Sequence, residues 1–436
     1  MSAITTIFQQ QLECFLPCKG KLVLALSGGM DSRVLLELLK LAKLREDKLD
    51  ILAVHVHHGL SPNADKWAQQ CQQWSLEAGI PCVIEHVQLD LTAGESVEQL
   101  ARDARYQVLK KHIDINDVLL TGQHADDQVE TFLLAMKRGS GPKGLSAMGI
   151  TRSFGLGQLS RPLLTCTRRQ VHEFAVQLGL EWVEDESNQD TRYDRNFLRH
   201  EVVPVLSSRW PHIYQSVQRS AEVCAQQERL IERLLEPFMS SCLHKDKSLK
   251  IETLSTYDEL VRNQLFRHWF ELHRFKMPAK DHLTVIWQQV ALSSKDANPK
   301  LELSDCQVRR FNKRLYLVPS MQDISNWRCR LTVGESIALP DGLGQLSLQP
   351  SKNGNIALPK GVSSVEVVFD PTGLSAHPAE RAHSRKLKKL FQEYGVPTWL
   401  RRRTPIIKLD QQVVAIADLF VSKSYNGQEC ELIWDK

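Results

Sequence analysis

LALSGGMDSRVLL, residues 24–36, joins an apolar strand pattern to an apolar helix pattern through Ser27, Gly28, Gly29, Met30, Asp31 and Ser32. Two adjacent glycines strip the turn of side chains, so consecutive backbone amides at the start of the following helix form a cradle for an anion. The Ser27 and Ser32 hydroxyls add donors. Asp31 would repel a bare phosphate unless Mg2+ lies between them, which makes a metal–nucleotide complex the natural guest. Two glycines alone fit a plain strand-to-helix turn with a Ser or Asp cap better; the complete Ser-Gly-Gly-x-Asp-Ser string in this setting favours the cradle. The string lacks the Lys of Gly-x-x-x-x-Gly-Lys-Ser/Thr and is not Gly-x-Gly-x-x-Gly, so neither of those phosphate loops is indicated.

Outward from this turn, strand patterns at KLVLALS (21–27), LDILAVHVH (49–57), PCVIEHVQL (81–89) and DVLLTGQ (117–123) alternate with helical patterns near 31–44, 63–78, 96–112 and 125–138. That alternation predicts an α/β fold with a parallel, doubly wound sheet. Ligands then bind beyond the carboxyl ends of the strands, which here are Ser27-Gly28-Gly29, His57-His58-Gly59 and Gly122-Gln123-His124. Another helix is expected near 167–178, followed by the polar stretch EDESNQDTRYDRNFLRHEVVPVL (184–206). Changes in composition divide the chain into three domains: the doubly wound one over 1–222, a helical one over 223–315, and a small mixed α/β one over 316–436.

The chain has 436 residues, too many for one ordinary core, with 42% hydrophobic and 24% charged residues. A net charge of +4 is mild, so the local distribution of Lys and Arg decides the partners. No apolar run reaches the roughly 18 residues needed to cross a bilayer, and the first residues do not read as a secretion signal; no membrane partner and a cytoplasmic location are expected. The 10 Cys include no Cys-x-x-Cys, which argues for a reducing compartment and against zinc ribbons or iron–sulfur clusters. Cys14 and Cys18 stand at i,i+4, too few ligands for a structural metal site.

SGGMDS (27–32) resembles the PP-loop of the N-type ATP pyrophosphatases, which cleave ATP to AMP and pyrophosphate. Longer strings narrow the resemblance: HVHHGLSPNADKWA (55–68), ESVEQLARDARYQVL (95–109), GQHADDQVETFLLAMKRGSGPKGLSAM (122–148), RPLL (161–164) and the 184–206 stretch are similar to the tRNA(Ile)-lysidine synthetase family. The likeness resumes at HSRKLKKLFQEYGVPTWLRRRTPII (383–407). It implies that ATP adenylates the wobble cytidine of a CAU anticodon in tRNA(Ile), and that free L-lysine then displaces AMP to give lysidine. Partners would be that tRNA and lysine, with a homodimer left open.

On this resemblance Asp31 is the first Mg2+ ligand, and Asp127 is a second ligand or the group that orients the lysine amine. Arg102 and Arg105 match the family's Ala-Arg-x-x-Arg-Tyr, one of them reading the α-phosphate and the other free to pair with Glu98 or Asp103. His55 lies beside the adenosine. His124 takes part in catalysis, with a capping or core role as the plain alternative, while Gln123 stands where the family carries another His. Glu130 shares a helix face with Asp126 and Asp127, which a salt-bridged helix start would explain equally well. Arg192, Arg195, Asn196 and Arg199 suit cytidine and backbone contacts; the plain alternative is a surface helix paired to Asp190 and Asp194. A metal site at His55, His57 and His58 lacks a further ligand. Between Arg381 and Lys408 nine Lys or Arg face one acid, Glu393, with Tyr394 and Trp399 interleaved. Most basic runs are solvated faces, but this pattern, including Arg401, Arg402 and Arg403, fits phosphates plus stacking on the tRNA arms or acceptor end. The competing readings are a PP-loop tRNA thiolase and a noncatalytic tRNA-binding protein.

Overall fold

β-Branched and leucine-rich runs of four to seven residues become strands because helices cover both of their faces. The computed structural model describes residues 3–15, 20–89, 97–294 and 297–436, so Cys18 and residues 95–96 lie outside the described residues. The chain separates into two compact units, Met1–Leu234 and Leu235–Lys436.

The first unit opens with α1 (Ala3–Glu13), then alternates β1 (Leu22–Ala25), α2 (Met30–Lys43), β2 (Ile51–His57), α3 (Ala64–Glu77), β3 (Cys82–His86), α4 (Val97–Lys111), β4 (Val118–Leu120) and α5 (Ala125–Lys137). A short α6 (Pro142–Leu145) leads to the hairpin β5 (Thr151–Phe154) and β6 (Gly157–Ser160), followed by α7 (Arg168–Gln177). The sheet order is β3-β2-β1-β4-β6-β5. All neighbours are parallel except β5, which returns antiparallel along β6. Leu22 and Leu24 pack with α2 and α7 on one face, while Val23, Leu119 and Leu159 pack with Leu109 and Ile113 on the other. The alternation along β1 therefore sets the two layers. The order reverses between β1 and β4, the point where such sheets open to ligands.

Beyond α7, a 3-10 turn (Glu186–Gln189), α8 (Asp194–Phe197), a π-helical stretch (Leu198–Val202) and α9 (Val203–Arg209) lead into α10 (Ile213–Cys242). The border expected at 222/223 falls inside α10.

The region read as helical over 223–315 holds α10, α11 (Ile251–Leu254), α12 (Glu259–Leu272) and α13 (Lys280–Val285). It also carries a four-stranded sheet of β7 (Leu249–Lys250), β8 (Lys300–Glu302), β9 (Cys306–Phe311) and β10 (Arg314–Pro319), in the order β7-β10-β9-β8. Asn312 and Lys313 turn the β9–β10 hairpin with φ of 45° and 61°, the backbone that a two-residue hairpin turn demands. The border expected at 315/316 cuts β10 and is displaced accordingly.

The rest is strand-rich. A sheet ordered β11-β14-β17-β18-β19 joins Arg328–Thr332 (β11), Ser364–Val368 (β14), Ile406–Leu409 (β17), Gln412–Ile416 (β18) and Phe420–Val421 (β19). A second joins β12 (Ser336–Ala338), β13 (Gln345–Pro350) and β20 (Cys430–Asp435), and a short ladder pairs β15 (Ser375–Ala376) with β16 (Arg385–Lys386). The helix α14 (Leu387–Glu393) buries Leu387, Leu390 and Phe391 and leaves Lys388 and Lys389 outside.

Candidate active site

The 27–32 turn sits at the carboxyl end of β1 and feeds α2, whose N-cap is Gly29. Gly28 has φ +88°, and a Cβ there would stand 3.1 Å from Cys71 Sγ; only glycine takes this position without strain. Ser32 Oγ donates to the Gly29 carbonyl at 2.9 Å and accepts from the Ser27 amide at 3.2 Å. Ser27 Oγ lies 3.1 Å from it. The two hydroxyls thus brace the turn that holds the amides. Met30 is buried beneath it.

Two further features lock the turn in place. His55 is buried on β2, and its Nδ1–H donates to the Leu26 carbonyl at 2.8 Å, so this nitrogen serves the scaffold and leaves Nε2 for a ligand. At the end of β4, Gly122 lies so close to α2 that an added Cβ would be 2.9 Å from Asp31 Cβ. Sequence reading located Gly122 at a strand end without foreseeing that contact.

Asp31, His124, Asp127, Glu130, Arg195 and Arg199 form one connected group. His124, the N-cap of α5, is 2% exposed and lies between the acids: Nε2 is 3.7 Å from Asp31 Oδ2, and Nδ1 is 3.5 Å from Asp127 Oδ2. The His124 amide donates to Asp127 Oδ2 at 3.0 Å. Glu130, one turn along α5, is fully buried. A buried carboxylate needs matched charge; Arg195 Nε donates to its Oε2 at 2.9 Å and Arg199 Nε to its Oε1 at 2.7 Å. Arg199 reaches on to Asp127 Oδ1 at 3.0 Å. The arginines come from α8 and from the π-helical stretch, a distortion common at functional sites.

Burial pushes the Asp31 carboxyl above the ordinary aspartate range; His124 opposes the rise and Asp127 adds to it. Burial acts against the Asp127 carboxylate too, yet His124, Arg195, the His124 amide and Arg199 together outweigh it and hold that group low. The oxygens of Asp127 are each already accepting a hydrogen bond, whereas Asp31 Oδ1 is buried with no partner. Asp31 therefore keeps a carboxylate oxygen free of any hydrogen bond, while both oxygens of Asp127 are engaged with its own helix start and with Arg199. Among the described residues no group of three or more His, Cys, Asp or Glu could hold a metal ion. A single carboxylate fits Mg2+ whose remaining ligands are substrate phosphates and water.

The other expected residues divide. Arg105 is exposed on α4 and its charge reaches His55 and His58, so it faces the mouth of β2. Arg102 instead lies over the Tyr106 ring, 5.1 Å from its centroid. Arg192 pairs with Asp190 at 2.7 Å, as the plain surface reading had it. Arg195 and Arg199 do not, and Asp194 pairs with Lys137 instead. Asn196 spends its amide on the Ser187 and Asp190 carbonyls, 2.9 and 3.0 Å away, holding the 3-10 turn rather than facing outward. His57 bonds Asp65 at 3.0 Å, which ties it to α3. Arg168 and Tyr214 were missed: the Arg168 charge acts on Asp31 and its amide donates to Asp126 Oδ2 at 2.7 Å, while burial, with the Asp126 charge, pushes the Tyr214 hydroxyl up. No spacing signal in the sequence links them to α5.

The nearby thiols are the wrong kind for sulfur chemistry. Burial pushes Cys71 up to about 12 and Cys166 up to about 11, and a reactive thiol needs a depressed value and access.

In the second unit, Arg401 donates to the Val396 carbonyl at 3.0 Å and Arg402 is exposed, 3.6 Å from Asp370. Arg403 turns inward. It is 8% exposed and pairs with Asp341 at 2.7 Å, so the phosphate contact expected of it is replaced by a structural one. Arg381 and Arg385 both pair with Glu393, and Tyr394 packs on Phe420 with its hydroxyl on Glu380. Trp399 lines a cavity together with Arg309 and Arg402.

Family comparisons match this layout segment by segment. Residues 4–206 match the PP-loop domain, residues 249–316 the TilS substrate binding domain and residues 365–435 the TilS substrate C-terminal domain. The curated tRNA(Ile)-lysidine synthase of Vibrio vulnificus (strain YJ016) is 57% identical over 437 residues, covering 100% of both chains. The chain belongs to the tRNA(Ile)-lysidine synthase family. The synthase of Vibrio parahaemolyticus serotype O3:K6 is 53% identical, again over 100% of each chain, and that of Photobacterium profundum is 49% identical over 96% of each. In this family the site at the β1–β4 opening belongs to the PP-loop domain, and the cation-rich second unit to the substrate modules. No helix among the described residues is long and apolar enough to cross a membrane.

Proposed function

We propose that the chain is a carbon–nitrogen ligase that uses ATP to join free L-lysine to the wobble cytidine of the CAU anticodon of tRNA(Ile), in the cytoplasm where that tRNA is found. The observation that carries this reading is full-length similarity to lysidine synthases, with a PP-loop domain and both substrate modules in one chain.

The 27–32 amides, with Ser27 and Ser32, receive the pyrophosphate end of ATP, and His55 Nε2 borders the nucleoside. Asp31 Oδ1 is the oxygen that would hold Mg2+, and the ion would offset phosphate charge. The cytidine carbonyl oxygen attacks the α-phosphorus and pyrophosphate leaves; the lysine amine then attacks the ring carbon, and AMP leaves with the oxygen. Arg105 faces the developing phosphate charge from the β2 side. His124 and Asp127 present the polar edge against which the amine is oriented, and Arg195, Arg199 and Glu130 hold that edge still.

Radiolabelled lysine should enter a CAU-anticodon tRNA transcript only with ATP and Mg2+, and Asp31→Ala should abolish incorporation while the thermal midpoint is kept. Incorporation retained in that variant would remove Asp31 from the site. ATP–pyrophosphate exchange that needs tRNA but not lysine separates ligation through an adenylated base from noncatalytic binding, which gives no exchange.

A further inference from the structure

A cavity of about 280 Å3 in the second unit is lined by Gln307, Arg309, Met321, Thr398, Trp399 and Arg402. Its floor is β9 and β10, and its rim is the segment between α14 and β17. It thus draws on residues of the substrate binding domain match and of the C-terminal domain match at once. Trp399 is held from below by Tyr316 and Phe311, with ring centroids 5.3 and 6.1 Å away. The Arg309 guanidinium lies 5.6 Å from the indole centroid, and its Nε is buried with no hydrogen-bond partner. Glu302 is the acid that acts on Arg309, and it is already paired with Lys300 at 2.7 Å. The cavity therefore combines an aromatic platform, two guanidinium groups and the amide of Gln307. It is too small for a length of strand and near the lower limit for a small organic ligand.

We propose that this cavity takes one unstacked nucleotide of the tRNA substrate, its base against Trp399 and its phosphate on Arg309 and Arg402. Stacking on an aromatic face beside a cation is how proteins hold single-stranded bases without reading a duplex. This rests on the tRNA reading above. Two sources offer such a nucleotide, the unpaired 3′ end and an unpaired loop base.

Equilibrium binding of wild type, Trp399→Ala, Trp399→Phe and Arg402→Gln is measured with an intact transcript and with one lacking its unpaired 3′ nucleotides. Trp399→Ala should raise Kd for the intact transcript roughly tenfold, with Trp399→Phe recovering most of the loss. If the 3′ end is the occupant, the truncated transcript binds wild type as weakly as the variant and loses nothing further; if a loop base is, both transcripts lose equally. An unchanged Kd in folded Trp399→Ala overturns the proposal. Should that variant fail to fold, Arg402→Gln decides: a Kd and salt slope equal to wild type overturn it. Wild-type protein that binds tRNA but incorporates no lysine would instead sink the proposed activity and leave the cavity standing.

Discussion

Gly28 shows how far one residue sets the site. A non-glycine residue at φ +88° costs about 1–2 kcal/mol, and here its Cβ would also press on Cys71. Gly28→Ala should lower the thermal midpoint and raise the KM for ATP severalfold in the lysine-incorporation assay. His58 gives a pH signature. Burial, with Arg105, His55 and His57, brings it down to about 4 from 6.5. The folded protein keeps this ring neutral where the unfolded chain protonates it, so between those values the unfolded state binds more protons and stability falls as pH falls. His58→Gln should lose less of its melting temperature than wild type between pH 7 and pH 5. The residues that carry the turn were legible from the 27–32 string, because glycine and hydroxyl requirements are local. The Asp31–Gly122 approach was not, because it joins segments that only the sheet brings together.

At the scale of elements, the helices over residues 30–43, 64–77 and 125–137 fall within a residue or two of the positions their apolar spacing predicts. The β5–β6 hairpin and the β7–β10 sheet were harder to see. Their strands are short, and Arg and Gln interrupt the apolar alternation of β9, as CQVRRF shows. The Asn312-Lys313 turn was the available signal, outweighed by the helical composition preceding it. The arginine clamp joins α8 and the π-helical stretch to α5, and it was legible only as three residue types, not as a contact. Glu130→Gln leaves two guanidinium groups short of charge on a buried face. Breaking a buried pair this way should destabilise the first unit by about 3 kcal/mol, measured as a lower denaturation midpoint, and the loss should exceed that of Asp190→Asn at the exposed Arg192 pair.

On the scale of the whole molecule, a mild net charge conceals a division of labour between two units. The first sets Arg195 and Arg199 against the buried acids of α5; the second displays Lys388, Lys389 and Arg402 outward. Arg401→Gln with Arg402→Gln should weaken tRNA binding and flatten its salt dependence by up to about two in the log–log slope, with the KM for ATP unchanged. Arg403→Gln should behave differently, lowering the melting temperature by loss of the Asp341 pair. Equal salt slopes in the double variant and in Arg403→Gln would contradict that division. Domain borders were the least legible feature, since composition changes gradually along α10 and β10 while the backbone continues through both.

The Gly28 carbonyl accepts the Val183 amide at 2.9 Å, and Val183 stands just ahead of the segment that carries Arg195 and Arg199. The glycine turn at the end of β1 is thus stitched to the strap that steadies the acids. The turn and the arginine-bearing segment therefore share a backbone anchor and are built as one piece rather than as two independently placed parts.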